Sequence, residues 1–452
     1  MMKTLFAFLA LTAVSIGADF PAPKALTSPE KAGLGIQRTM QLLAGSTPEH
    51  RNTVRVLFYG QSITEQAWTK AVSEYLKTTY PDADLVIENR AIGGHSSQIL
   101  VKTTEADVIP FQPDLLIFHV YGAHDKYEDL IKMVREKTCA EILIQTDHLS
   151  ADQKIDEETD PTKLAMDNWA PWFNYVFLPS VAEKYQAELV PQRDHWKAYL
   201  RENELEPPAL LKDGVHLNEH GEFLMAEIVK SHLVVHPEIE PIANKRVTTM
   251  DAVDWKSGEL NLPFTGNRID AIMAVAGKSE EVEVLIDGKK PSEIPSAYAF
   301  TKVTGYNRTN WPVLLRVSQG DTPPVPETWT VTLSDANEDY SSFRFSVSGS
   351  VTGPDGEGNA TEDFNSKSGR IVIHPDDWNL NYSQKVFKVP HPADVPITFD
   401  VIPLHRDVFT AEAGKAPVTL AQNLKNGAHT LTLRAKSKPP IAAIRAFNPD
   451  AK

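Results

Sequence analysis

Val54-Arg55-Val56-Leu57-Phe58-Tyr59 is a short run of β-favouring residues with one charge, and it stops at Gly60-Gln61-Ser62-Ile63-Thr64. A run that is apolar almost throughout reads as a strand buried on both faces. The stretch that follows, Ala67 to Thr79, has helical character. Working outward, the same alternation recurs. Apolar runs at Asp84 to Glu88, Asp114 to Val120, Glu141 to Gln145 and Ala187 to Val190 alternate with helical stretches such as Tyr127 to Lys137, Trp172 to Tyr185 and Glu219 to Val235. Strand then helix, five times over, predicts a parallel sheet covered on both faces by helices. In such sheets chemistry gathers beyond the carboxyl ends of the strands.

The residues at those ends are suited to chemistry. Ser62 stands at the exit of the first strand, where the positive end of a helix dipole favours an oxyanion; the same position suits a helix N-cap. The second strand exits through Asn89-Arg90-Ala91-Ile92-Gly93-Gly94-His95-Ser96-Ser97, where a glycine allows a backbone N–H to approach a ligand. The third exits through Tyr121-Gly122-Ala123-His124-Asp125, and the last helix is preceded by Asp213-Gly214-Val215-His216-Leu217-Asn218. A carboxylate three residues before an imidazole can fix the ring's tautomer while its other nitrogen faces a nucleophile, although an isolated Asp-x-x-His is also a common surface turn.

In this order and spacing, over about residues 52 to 236, the four segments resemble the SGNH hydrolases, the GDSL-type esterases. The resemblance implies a flavodoxin-like three-layer α/β/α hydrolase domain. It also implies Ser62 as nucleophile, Asp213 as orienting acid and His216 as general base, with Ser62, Gly94 and His124 forming the oxyanion hole. Two positions depart from the family pattern. Gln61 replaces the usual Asp before the serine, and His124 replaces the oxyanion-hole Asn, a place where a neutral imidazole N–H can still donate. His124-Asp125 could instead form a second base-orienter pair.

Aromatic residues lie between these blocks, in Asp194-His195-Trp196 and Asp167-Asn168-Trp169-Ala170-Pro171-Trp172-Phe173. Such rings can stack on sugars or simply pack a core. With Leu210 to Gly221 they resemble secreted bacterial carbohydrate esterases that remove acetyl groups from polysaccharides. Gln61, His95, Asp125, Trp169, Trp172 and Trp196 are the candidate substrate contacts, and an acetylated polysaccharide or oligosaccharide is the implied partner. A lipid or thioester acylhydrolase with the same triad and a catalytically silent carbohydrate-binding protein are the alternatives.

After about residue 240 the composition turns to Thr, Ser, Val, Gly and Pro. Alternating runs at Glu281 to Ile286, Trp329 to Leu333, Phe343 to Val347, Arg370 to Ile373 and His429 to Leu433 predict a β-rich half. Asn261 to Gly266, Ile286-Asp287-Gly288-Lys289 and Asn426 to Leu431 resemble the jelly-roll modules that accompany such esterases. The expected organisation is a hydrolase domain over 19–240 and a β-sandwich accessory region over 241–452, with an inserted Ig-like module at about 310–400. Gly353-Pro354-Asp355-Gly356-Glu357-Gly358 reads as a turn. Its alternating carboxylates lack the bidentate Glu of an EF-hand, so no metal or other cofactor is expected.

The 452 residues carry 45 Lys+Arg against 60 Asp+Glu, a net charge of −15, which disfavours nucleic acid as a partner. Met1-Met2-Lys3, the apolar stretch Leu5 to Ile16 and Gly17-Ala18-Asp19 have the pattern of a signal peptide over residues 1–18, so a secreted or periplasmic protein is expected. Beyond that stretch no apolar run reaches the roughly 18 residues needed to cross a bilayer. Cys139 is the single cysteine, which leaves stability to core packing and reads as a small buried hydrophobe.

Overall fold

A computed structural model describes residues 20–24, 26–305, 308–392 and 395–449; the leader-like residues 1–18 lie outside them. Five parallel strands, β1 (Thr53–Gly60), β2 (Asp84–Asn89), β3 (Leu115–His119), β4 (Glu141–Gln145) and β5 (Glu188–Val190), form one sheet in the order β2-β1-β3-β4-β5. This is the doubly wound flavodoxin-like order. Strand alternation divides the core in two. Val54, Val56 and Phe58 of β1 join Leu115, Ile117 and Leu143 on one face, while Leu57 and Tyr59 join Leu116, Phe118, Ile142 and Ile144 on the other. Each large apolar side chain so buried contributes about 1.5 to 3 kcal/mol.

Helices α1 (Gln37–Ala44) and α2 (Trp68–Thr79) contribute to the first face, and α3 (Ser97–Asp107) and α4 (His124–Lys137) to the second. The predicted single helix Trp172 to Tyr185 is broken. Helix α5 (Trp169–Trp172) runs through a π-helical turn, Phe173–Phe177, into α6 (Leu178–Lys184). Pro179 has no N–H to offer the carbonyl four residues back, and a wider turn accommodates the loss. Helices α7 (Gln192–Glu202) and α8 (Glu219–Ser231) close the first face, and α8 starts where the Asn218 side chain accepts a hydrogen bond from the Gly221 N–H at 3.0 Å.

The second half is antiparallel β, as its composition predicts. Glu259–Gly266, Glu280–Ile286, Val408–Ala411 and Gly427–Arg434 form one four-stranded sheet; Val247–Asp251, Arg268–Met273, Val418–Ala421 and Ile441–Phe447 form another, with a shared apolar core. Between the two halves of this sandwich runs the segment 298–403. Its strands make a separate five-stranded sheet and smaller ribbons around their own core. Two features here differ from the sequence reading. Gly353–Asn359 is a strand rather than a turn, because pairing with Arg344–Gly349 satisfies its backbone, and the Asp355 carboxylate accepts from the Ser368 N–H and hydroxyl at 2.8 and 2.6 Å. The segment also contains a helix, α9 (Leu380–Phe387).

The segment is fixed to the parallel-sheet half by ion pairs as well as packing. Lys102 on α3 pairs with the fully buried Asp377 at 3.3 Å, and Lys302 pairs with the buried Asp107 at 3.0 Å. Trp311 sits in the second core of the parallel sheet. No helix among the described residues is long and apolar enough to cross a membrane.

Candidate active site

β1 ends at Gly60 because the chain must pass its neighbour closely: a Cβ there would lie 2.1 Å from the His119 carbonyl oxygen on β3. The turn that follows carries Ser62. Its hydroxyl donates to His216 Nε2 at 2.8 Å, and His216 Nδ1 donates to Asp213 Oδ2 at 2.9 Å. A carboxylate can only accept from Nδ1, which leaves Nε2 as the acceptor facing the serine. The other carboxylate oxygen of Asp213 accepts from the backbone N–H groups of Val215 and His216 at 2.8 and 2.7 Å. These backbone bonds, more than the imidazole, lower the Asp213 carboxyl to about 2. The site is open, with the Asp213 side chain 51% and the His216 side chain 36% exposed.

The Asp213 loop is held by residues of the same half. Gln66 brackets Leu217, donating to its carbonyl at 2.8 Å and accepting from its N–H at 3.0 Å. The ring of His148 donates to the Val215 carbonyl at 2.7 Å. Burial holds His148 neutral, with its acidity moved down to about 4, and does the same to His119, down to about 3. Beside them Asp147, 3.4 Å from His119, is raised to about 6 by burial.

The second loop is registered to the serine turn from β2. The Ile92 N–H donates to the Gly60 carbonyl at 3.0 Å, and the Asn89 side chain donates to the Thr64 carbonyl at 2.7 Å. Gly94 has φ +78°, a conformation glycine adopts without strain.

The structure thus brings Ser62, His216 and Asp213 together and sets the Gly93–His95 loop beside their turn. The other candidates are placed differently. His124 opens α4 with its ring edge-on to Trp172 and Phe177, centroids 5.2 and 5.6 Å away, and has no hydrogen bond to Ser62 or Gly94 among the described residues. Trp169 and Trp172 are half-buried, stacked on Phe173 and Phe177. Trp196, expected as a substrate contact, is fully buried in the core, so it offers no stacking face. His95, also fully buried, spends both ring nitrogens on protein partners. Asp125 is exposed and pairs with Lys126, and Gln61 is buried. Cys139 is buried, its thiol raised to about 11, as expected of an inert side chain.

Three residues at the site were not singled out from the sequence: Gln66, Asn379 and Tyr382. The last two come from the 298–403 segment, where Tyr382 donates its hydroxyl to the Gly94 carbonyl at 2.9 Å.

No family model matches the chain, and no curated protein matches it. Among solved structures it is similar to a catalytic mutant of Axe2, an acetylxylan esterase from Geobacillus stearothermophilus, with 19% identity over 42% of this chain and 97% of that one and a TM-score of 0.34. It is similar to the acetyl xylan esterase AlAXEase at 22% identity, over 40% of this chain and all of that one, TM-score 0.34. A candidate GDSL-like lipase from Parabacteroides merdae matches at 19% identity over 40% of this chain and 96% of that one, again with a TM-score of 0.34.

Proposed function

We propose that the protein is a serine esterase that removes acetyl groups from a polysaccharide or oligosaccharide. The observation that carries this reading is the continuous hydrogen-bond chain from Ser62 through His216 to Asp213 at the carboxyl end of a parallel sheet. Ser62 Oγ attacks the ester carbonyl as its proton passes to His216 Nε2, and the anionic Asp213 stabilises the imidazolium. The backbone N–H groups of Ser62 and Gly94 stabilise the oxyanion. The proton on Nε2 goes to the departing sugar oxygen. Water, deprotonated by His216, then attacks the acyl-enzyme and releases acetate.

The open triad suits an ester carried on a polymer. We place the reaction outside the cytoplasm on the leader-like pattern of residues 1–18, and read 241–452 as its accessory β region. The test is acid release from acetylated polysaccharides and a chain-length ladder of model esters, with Ser62→Ala alongside. Acetate release lost in the variant, with little turnover of long chains, supports the reading. Preference for long acyl chains would turn it to a lipid or thioester substrate, and inactivity of a folded, glycan-binding wild type would make the protein a binding module.

A further inference from the structure

We propose that Asn379, at the N-cap of helix α9, and Tyr382, 288 residues beyond Gly94 in the chain, are positioning residues for the Gly93–His95 loop of the catalytic centre. The proposal rests on the esterase reading above. The peptide that joins Gly93 to Gly94 carries the Gly94 N–H at one end and the Gly93 carbonyl at the other. Fixing that carbonyl therefore fixes the direction of the N–H.

His95 fixes it. Its Nδ1 lies 2.9 Å from the Gly93 carbonyl oxygen, which can only accept, so Nδ1 carries the proton. Nε2 is then an acceptor, and the Asn379 amide donates to it at 3.0 Å while donating its second hydrogen to the Pro312 carbonyl at 2.8 Å. Asn379 thereby selects the His95 tautomer that holds the Gly93 carbonyl. Burial keeps the ring neutral, consistent with this arrangement.

The next peptide is held separately. Tyr382 donates to the Gly94 carbonyl, and the Phe387 ring presses on the open face of Gly94, where a Cβ would come within 2.3 Å of Phe387 Cζ. Trp311, Tyr382 and Phe387 surround the His95 ring with centroids 5.7, 5.5 and 6.0 Å away. Both peptides flanking Gly94 thus depend on side chains from the 298–403 segment. A module joined only by a tether would not supply such contacts.

The experiment is steady-state kinetics on a small aryl acetate, too short to reach any remote glycan surface, using the full chain. Tyr382→Phe removes one donor without changing the ring; kcat is expected to fall roughly three- to tenfold at unchanged KM and unchanged melting temperature. Asn379→Asp is nearly isosteric but replaces the donor to Nε2 by an acceptor, which draws a proton onto Nε2, alters the tautomer and charge of the ring that holds the Gly93 carbonyl, and should lower kcat by about tenfold or more. Asn381→Ala is the control, since Asn381 bonds the Asp339 carbonyl within the same segment. It should keep wild-type kcat.

Folded Tyr382→Phe and Asn379→Asp proteins with kcat within twofold of wild type would overturn the proposal. So would losses confined to KM, or an equal loss in Asn381→Ala. A wild type without any Ser62-dependent turnover would instead remove the esterase reading, and the proposal with it.

Discussion

The loop Asp213–Leu217 and the loop Gly93–His95 flank the same serine turn but are anchored differently. The first is held within the parallel-sheet half, by Gln66 and His148 and by the strand-like bridge between Leu211 and Leu217. The second is tied at its base to β1 and at its tip to Asn379, Tyr382 and Phe387 of the 298–403 segment. The loop that carries the proposed base can therefore form as soon as the α/β layers form. The loop that carries the proposed oxyanion donor needs the later segment docked.

The largest effect expected from this comparison lies on the Asp213–Leu217 side. His216→Ala should lower kcat by about 10⁴ to 10⁶, and Asp213→Asn by about 10⁴, at unchanged melting temperature. Turnover of an aryl acetate measures both. If Asp213→Asn were nearly as active as wild type, the half-exposed carboxylate would not be the orienting acid, and the comparison would lose its first member.

Gln66→Ala should have the next largest effect. It removes both bonds that bracket Leu217, the residue after His216, and an ångström of freedom at the base can cost about 10²-fold in rate. A fall in kcat of roughly ten- to a hundredfold is expected, with little change in melting temperature beyond the loss of these two hydrogen bonds and of the one Gln66 donates to Glu222 at 3.0 Å. A rate unchanged from wild type would show that the bridge at Leu211–Leu217 suffices to hold the loop.

What could be read from the sequence follows the same division. Strands β1, β3 and β4 are short apolar runs whose burial on both faces is a local pattern, and the Asp-x-x-His spacing sets its own hydrogen bonds within four residues. Ser62 and His216 are 154 residues apart, yet each was legible because the sheet delivers both to one rim. Trp196 and His95 were misread for a physical reason: an aromatic or imidazole near a catalytic block looks the same in sequence whether it faces solvent or core. Here both are fully buried. Gly353–Asn359 looked like a turn because glycine and proline carry no strand preference of their own, and only its partner strand makes it one. Helix α9 had no local signal pointing to Gly94. Its importance comes from docking across hundreds of residues, and no spacing encodes that.

The effect with the smallest expected bearing on turnover is on stability against pH, and it separates the two loops through their supporting histidines. His148 supports the Asp213 loop with its acidity lowered to about 4 by burial. Unfolded, it would take up a proton near pH 6.5. Between those values the unfolded chain binds a proton that the folded chain does not, so its contribution is fully present above about pH 6.5 and is lost as pH falls toward 4, up to about 3 kcal/mol. His119 acts in the same direction. Asp147 opposes them: raised to about 6 by burial, it is protonated in the folded state while still ionised in the unfolded one, so it stabilises as pH falls from 6 toward 4. Over this range the proton that unfolded His119 binds is matched by the one that folded Asp147 binds, so these two largely offset one another and His148 sets the net slope. Melting temperature should therefore drop between pH 6.5 and 4 in wild type and drop less in His148→Gln, whose amide can still donate to the Val215 carbonyl. His95→Gln should flatten the curve by a smaller amount. Equal slopes in wild type and His148→Gln would assign the acid sensitivity elsewhere and leave the Asp213 loop without a titrating support.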